Sequence, residues 1–87
     1  MVPFESKKWL LVVFPNGSGV VGKFENNIDN WILLKPARRI GSLMNKEVEN
    51  ILSNKRVPGS YTTENDMWVE PSGCEIHVLE KDPWESE

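Results

Sequence analysis

The stretch WLLVVFPNGSGVVGKFENNIDNWILLK, residues 9 to 35, carries the strongest strand signals in the chain and two of its turns. Residues 9 to 14 form a six-residue apolar run, rich in the β-branched and aromatic types that favour strands. Pro15, Asn16 and Gly17 follow, and an Asn-Gly pair between apolar runs is a strong hairpin signal. Beyond this turn, apolar and polar residues alternate as in a strand with one buried face. The stretch therefore predicts an antiparallel hairpin.

A second turn and a third strand follow directly. Polar residues that tolerate left-handed backbone and hydrogen-bond to their own main chain surround Ile28, namely Asn26, Asn27, Asp29 and Asn30. An aromatic and aliphatic run begins again at Trp31. The pattern predicts three consecutive antiparallel strands at about 9–14, 19–26 and 31–35, with Pro36 at a strand end or edge.

Gly22 lies in the middle of the second predicted strand. Glycine there gives up side-chain packing and adds backbone freedom, so its presence indicates a sharp bend or a close backbone approach. A strongly bent second strand is one way in which a small sheet curls into a barrel. We therefore expect a bent sheet.

The remainder of the chain predicts one helix and a final hairpin. Ser42 can cap a helix at about 43–55, in which Met44, Val48, Ile51 and Leu52 share an apolar face. We expect this helix to cover an open end of the barrel. Strands are predicted at about 66–70 and 74–79, separated by a tight turn at Pro71-Ser72-Gly73.

The order of these features resembles the first sequence motif of the Sm-like RNA-binding proteins. The matching features are a strand, an Asn-Gly turn, Gly22, a polar loop with Asp29, and then Trp31 followed by aliphatic residues. The resemblance implies one domain over residues 1–87, mainly β: a strongly bent five-stranded antiparallel Sm-like (SH3-like) small barrel with one short inserted helix. It also implies a homo-oligomeric ring of about five to eight subunits.

The same resemblance implies a binding site for single-stranded RNA or DNA. Trp31 takes the place of the family's pocket aromatic and could stack on a base. Amides and charges nearby would complete the nucleic-acid-binding set: Asn27, Asp29, Asn30, Trp31, Lys35, Arg38 and Arg39. The chain departs from the family at Leu33, where a base-reading Asn is expected, and at residues 70–73, where an Arg-Gly pair is expected.

Composition narrows the classes of protein. Hydrophobic content of 39%, charged content of 26% and the absence of a long apolar run predict neither a membrane span nor disorder. No secretion signal is evident, so we expect a cytoplasmic location. A net charge of −3 argues against indiscriminate affinity for nucleic acid.

Catalytic and metal chemistry find little support in the sequence. The single cysteine, Cys74, excludes an internal disulfide, and with one histidine it cannot build a zinc site. Cys74 and His77 fall on opposite faces of their predicted strand, which separates a nucleophile from its base. We expect no enzyme activity, no metal and no cofactor.

These observations favour a non-catalytic Sm-like ring that binds single-stranded RNA, or DNA, with a role in RNA processing or chaperoning. The alternative is a protein–protein interaction module with an SH3-like barrel and no nucleic-acid role. The acidic net charge and the missing Arg-Gly pair favour that alternative, whereas the loop pattern around Trp31 favours nucleic acid.

Overall fold

The computed structural model describes residues 8–53, 57 and 59–85. Six strands and one helix lie within these ranges: β1 (Trp9–Val13), β2 (Gly19–Ile28), β3 (Trp31–Ile40), α1 (Asn45–Leu52), β4 (Thr62–Glu64), β5 (Met67–Val69) and β6 (Glu75–Leu79). All strand pairings are antiparallel and belong to one sheet of order β4-β3-β2-β1-β6, with β5 also paired to β3. A mainly β chain with one short helix is therefore confirmed.

Strands β4 and β5 are two segments of one line along the edge of β3. Leu34 pairs with Met67 and Ala37 pairs with Glu64, so equal numbers of residues separate the two pairs on both strands. Pro36, which has no N–H to donate, lies opposite the interruption. The structure therefore has six strands where five were predicted, because β4 and β5 occupy the same edge of the sheet one after the other.

Strand β3 continues to Ile40, whereas the sequence pattern predicted an end at residue 35 because of Pro36. The register between β2 and β3 shifts between Gly22 and Phe24 and again between Phe24 and Asn26. Proline is tolerated at such irregular positions because no ladder hydrogen bond is required of it. The Lys35–Pro36 peptide bond is cis.

Gly22 lies at the same place in the sheet and is a site of close approach. A Cβ added at Gly22 would lie 2.7 Å from the Cβ of Leu34 and 3.0 Å from the carbonyl oxygen of Pro36. Both distances are shorter than ordinary van der Waals contact, so β3 could not pass so near a larger residue. The expected close backbone approach at Gly22 is confirmed.

The strand registers place the end of β5 and the start of β6 far apart in the sheet. Val69 is aligned through β3 with Asn27 of β2, whereas Glu75 is aligned through β1 with Gly19. In a flat sheet these alignments would separate Val69 from Glu75 by roughly 30 Å, given spacings of about 4.8 Å between strands and 3.3 Å between residues.

The connection between β5 and β6 is too short for a flat sheet. Residues 70 to 74 reach at most about 20 Å even when extended. They also contain a turn in which the Cys74 N–H donates to the Pro71 carbonyl oxygen at 3.0 Å. The sheet must therefore curl so that its two edges approach each other. Among the described residues these edges are not paired, so the sheet is not closed.

The inner face of the curled sheet encloses one apolar cluster. Its buried members come from β1, β2, β3 and β5: Leu10, Val12, Val20, Phe24, Ile32, Leu34, Ala37 and Val69. Ile76 of β6 packs against them, so every line of the sheet contributes. We call this side the inner face and the opposite side the outer face.

The outer face carries a second cluster, which α1 partly covers. Its buried members are Leu11, Val21, Ile40, Leu43, Ile51 and Leu79. The helix therefore packs on the outer face through Ile51 and Val48, which differs from the expected position over an open end of the barrel. Successive apolar residues of β1 point alternately to the inner and the outer face. The outer face therefore offers apolar side chains against which the helix packs.

Helix α1 is shorter than its predicted range. It begins after Met44, which makes no side-chain capping bond, so Ser42 is not the cap. Residues 54 and 55 of the predicted range lie outside the described residues. Within the described part of the chain, no helix has the length and apolar character that a bilayer crossing requires.

Candidate nucleic-acid interface

A two-residue turn, Asp29 and Asn30, joins β2 to β3 and forms the centre of the polar loop predicted from the sequence. Ile28 and Trp31 pair directly across it. The φ angle of Asp29 is 55°, in the left-handed region that Asp tolerates better than most residues. Both turn residues are exposed. The turn is shorter than predicted, because β2 extends through Asn26 and Asn27.

Trp31 points to the outer face and is 49% exposed. Its direction follows from alternation, since Ile32 and Leu34 are buried in the inner cluster. Its cross-strand partner Ile28 is 56% exposed. Trp31 therefore presents an open indole surface, as base stacking requires.

Trp68 is a second exposed indole on the same face, and it was absent from the predicted site. It lies between Met67 and Val69, which both pack in the inner cluster, so it points outward and is 44% exposed. Its partner on β3 is the half-buried Leu33. Because Leu33 is two residues from Trp31, Trp31 and Trp68 occupy diagonal positions on neighbouring strands, which are typically about 7–8 Å apart between Cα atoms. The strand register reveals this pair, and no local sequence signal does.

The asparagines divide between the two faces. Asn27 pairs with Ile32, which places it on the inner side, whereas Asn26 pairs with Leu33 on the side of the indoles. The side-chain oxygen of Asn26 accepts a hydrogen bond from the Asn27 N–H at 2.8 Å. Among the predicted amides, Asn30 in the turn is the one placed beside Trp31.

The three predicted cations each face a carboxylate. Lys35 lies 3.9 Å from Asp66, and Arg39 lies 3.7 Å from Glu64. Both pairs are well exposed, and such surface pairs contribute at most about 1 kcal/mol. A ligand phosphate could therefore compete for Lys35 or Arg39 at little cost. The structure does not gather these side chains around Trp31.

Arg38 is held more firmly, on the outer face further along β3. Its guanidinium donates to the Asp82 carboxylate at 2.8 Å, and both side chains are mostly buried. The guanidinium carbon also lies 4.8 Å from the ring centroid of Trp84 and 5.7 Å from that of Tyr61. These cation–π contacts and the charged hydrogen bond occupy Arg38 within its own chain.

The two departures from the Sm-like pattern have clear structural consequences. Leu33 adds apolar surface beside the indoles and offers no hydrogen bond to a base. In the turn after β5, Glu70 accepts hydrogen bonds from the Ser72 N–H at 3.2 Å and the Ser72 hydroxyl at 2.6 Å. A carboxylate thus stands in the segment where the family resemblance implies an arginine.

Cys74 and His77 do not face one another. Cys74 packs against the inner cluster, whereas His77 pairs with Leu11, which belongs to the outer cluster. Burial raises the pKa of the Cys74 thiol, and the nearby Glu70 carboxylate raises it further. The thiol is therefore protonated, and a weak nucleophile, at neutral pH.

Other surfaces of the described chain offer less chemistry. A cleft of about 580 Å³ lies between the start of α1 and the residues Val57, Gly59 and Ser60. Within the described ranges, no three His, Cys, Asp or Glu side chains converge as metal ligands would. Compared with known proteins, the chain matches no family model and no curated sequence.

Proposed function

We propose that the chain is a non-catalytic, Sm-like protein that binds single-stranded RNA, or DNA, on the outer surface around Trp31. The observation that carries the proposal is the half-exposed indole of Trp31 beside a projecting two-residue turn. Exposing an indole sacrifices burial free energy, and stacking on a base recovers about 1 to 3 kcal/mol. A role in RNA processing or chaperoning would follow from such binding.

The sheet geometry supports a small Sm-like barrel. Three antiparallel strands in succession, a helix inserted before the next strand, and a final strand that returns to pair with β1 are compatible with the order of elements that the resemblance implies. The short connection between β5 and β6 bends the sheet around the inner cluster. The proposed barrel stays open between β5 and β6, which are not paired among the described residues.

Two open sheet edges support self-association into a ring of about five to eight subunits. β5 and β6 are each paired along one edge, and the other edge of each has no partner strand among the described residues. Val78 on β6 is about half exposed. Unpaired apolar edges are sites of strand pairing, and pairing β5 of one subunit with β6 of the next is a head-to-tail contact that can close into a ring.

Titration of single-stranded oligonucleotides with the Trp31→Ala variant tests the function. We expect a loss of about 5- to 150-fold in affinity, the equivalent of one stacking interaction. Trp31→Phe should retain most of the binding because phenylalanine also stacks. Met44→Ala removes an exposed side chain from another surface and serves as the control. Equal binding by wild type and Trp31→Ala would reject the proposed site.

A protein-interaction module is the second candidate, and the charge distribution favours it. Each of Lys35, Arg38 and Arg39 faces a carboxylate, and the chain carries a net charge of −3. Such a surface gives little electrostatic attraction for phosphates. Absence of oligonucleotide binding at low salt would favour this candidate over the first.

A further inference from the structure

We infer that the ligand of the Trp31 surface is at least two consecutive unpaired bases, held by stacking on Trp31 and Trp68, with little contribution from backbone charge. This inference rests on the proposed function and specifies its ligand. It assigns Trp68 a binding role and predicts which bases are preferred.

The arrangement of the indoles suits unpaired bases. Trp31 and Trp68 both lie on the outer face and are both about half exposed, and Trp68 pairs with Leu33, two residues from Trp31. An indole stacks on the face of a base, and in a duplex these faces are covered by the neighbouring base pairs. Single strands expose the base faces, so the ligand should be single-stranded.

Leu33 forms the floor between the two indoles. It is half-buried and pairs directly with Trp68, and it follows Trp31 by two residues on the same face of β3. Apolar contact from Leu33 and the exposed Ile28 would extend the stacking surface without adding charge. The surface is suited to the faces of bases.

The charges around the indoles disfavour phosphate. Asp29 lies in the turn next to Trp31, and Glu70, whose carboxylate accepts hydrogen bonds from Ser72, follows β5 directly. The nearest predicted cation, Lys35, faces Asp66. With Asp29 beside Trp31 and Lys35 facing a carboxylate, the backbone of the ligand should lie away from this surface, and binding should depend only weakly on salt.

The Asp29 carboxylate favours cytosine and adenine. These bases present an amino donor to an Asp acceptor, whereas thymine and uracil present a carbonyl oxygen in that position. Asp29 is exposed beside Trp31, and its ionised carboxylate accepts hydrogen bonds but donates none. We therefore expect cytosine- or adenine-rich strands to bind more tightly than thymine- or uracil-rich strands.

The test compares hexamers of oligo-dC, oligo-dT and a methylphosphonate oligo-dC, whose backbone is uncharged, on the full chain. We expect oligo-dC to bind about 5-fold more tightly than oligo-dT, the effect of one hydrogen bond. The uncharged oligomer should bind within about 3-fold of oligo-dC, and the log–log salt slope should be no steeper than about −0.7, one phosphate contact on a single strand.

Variants connect these results to the two indoles. Trp68→Ala should reduce affinity for oligo-dC about as much as Trp31→Ala, and Met44→Ala should not reduce it. Both tryptophans are half exposed, so thermal unfolding should show that the alanine variants remain folded. A folded Trp68→Ala variant that binds like wild type would overturn the inference.

Failure of this inference and failure of the proposed function give different results. Charged hexamers that bind through Trp31 with a steep salt slope, while the uncharged oligomer does not bind, would overturn the inference and leave the proposed function standing. Equal affinity for oligo-dC and oligo-dT would overturn the assignment of base class. No binding of any hexamer would overturn both and leave the surface to a protein partner.

Discussion

Gly22 controls how closely β2 and β3 approach at the bend of the sheet. A Cβ at this position would lie 2.7 Å from the Leu34 Cβ, within a buried cluster that has little room to adjust. The sequence alone could predict the bend, because glycine in a strand interior has few other uses. The sequence could not show that Leu34 and Pro36 are the residues that approach Gly22.

Gly22→Ala should therefore destabilise the fold by about 1 to 3 kcal/mol, the usual cost of overpacking a core. Urea unfolding measures the difference. Gly41→Ala is the matched control, because an added Cβ there would meet no atom within 4 Å. If the two variants unfold at the same urea concentration, the close approach at Gly22 does not hold the sheet in shape.

Trp31 and Trp68 show where sequence analysis of single residues succeeds and where it stops. Ile32 and Leu34 are buried in the inner cluster, so by strand alternation Trp31 points away from the core. The pairing of Trp68 with Leu33 depends on the register between strands more than thirty residues apart, for which one sequence carries no signal. The ion pairs of Lys35, Arg38 and Arg39 could not be predicted for the same reason, since Glu64, Asp66 and Asp82 approach them only after folding.

At the scale of elements, the strands were easier to predict than the helix. An apolar run located β1, which is buried on both faces, and alternation and turn residues located β2 and the start of β3, all to within two residues. Helix α1 buries only Ile51 fully and has no side-chain cap, so its ends carry weak signals. Its place on the outer face depends on tertiary packing.

The C-terminal segment, residues 80 to 85, is attached to β3 through a few specific contacts. Asp82 accepts a hydrogen bond from Arg38 at 2.8 Å and another from the Trp84 N–H at 3.0 Å. Trp84 packs against the outer cluster and lies edge-on to Tyr61, with ring centroids 5.1 Å apart. This segment therefore covers part of the outer cluster that α1 leaves open.

Asp82→Asn should lower the free energy of unfolding by about 1 to 2 kcal/mol, because it weakens a charged hydrogen bond in a mostly buried setting. Thermal or urea unfolding gives the measurement. Glu80→Gln makes the same change in charge at an exposed position of the same segment and should be nearly neutral. A larger effect from Glu80→Gln than from Asp82→Asn would contradict the assigned contact.

At the scale of the whole molecule, the edges of β5 and β6 have no partner strand among the described residues, and the proposed ring pairs them between copies. The chain has a mass of 10.0 kDa, and a domain of this size buries a thin core on its own. Composition and strand pattern predicted the mainly β fold and its single helix. The division of the edge beside β3 into two strands, β4 and β5, was not predicted. Pro36 lies opposite the interruption but precedes it by about thirty residues in the sequence, so no local pattern indicates their proximity.

Val78→Lys should block ring assembly, because a charge on an edge strand opposes pairing with another strand. Light scattering should give about 50 to 80 kDa for wild type, as expected for five to eight copies in a closed ring, and the mass of one chain for the variant. Met44→Lys adds the same charge away from both edges and should leave the assembly intact. A wild-type protein with the mass of one chain would reject the ring.

The central claim is that bases stack on the exposed indoles of the outer face. A ¹H–¹⁵N spectrum resolves one indole N–H signal for each of the four tryptophans. On addition of a single-stranded hexamer, the signals of Trp31 and Trp68 should shift at the lowest ratios, while that of Trp9, which packs against the outer cluster, should stay in place. Unchanged signals from Trp31 and Trp68 in the presence of saturating hexamer would contradict the claim.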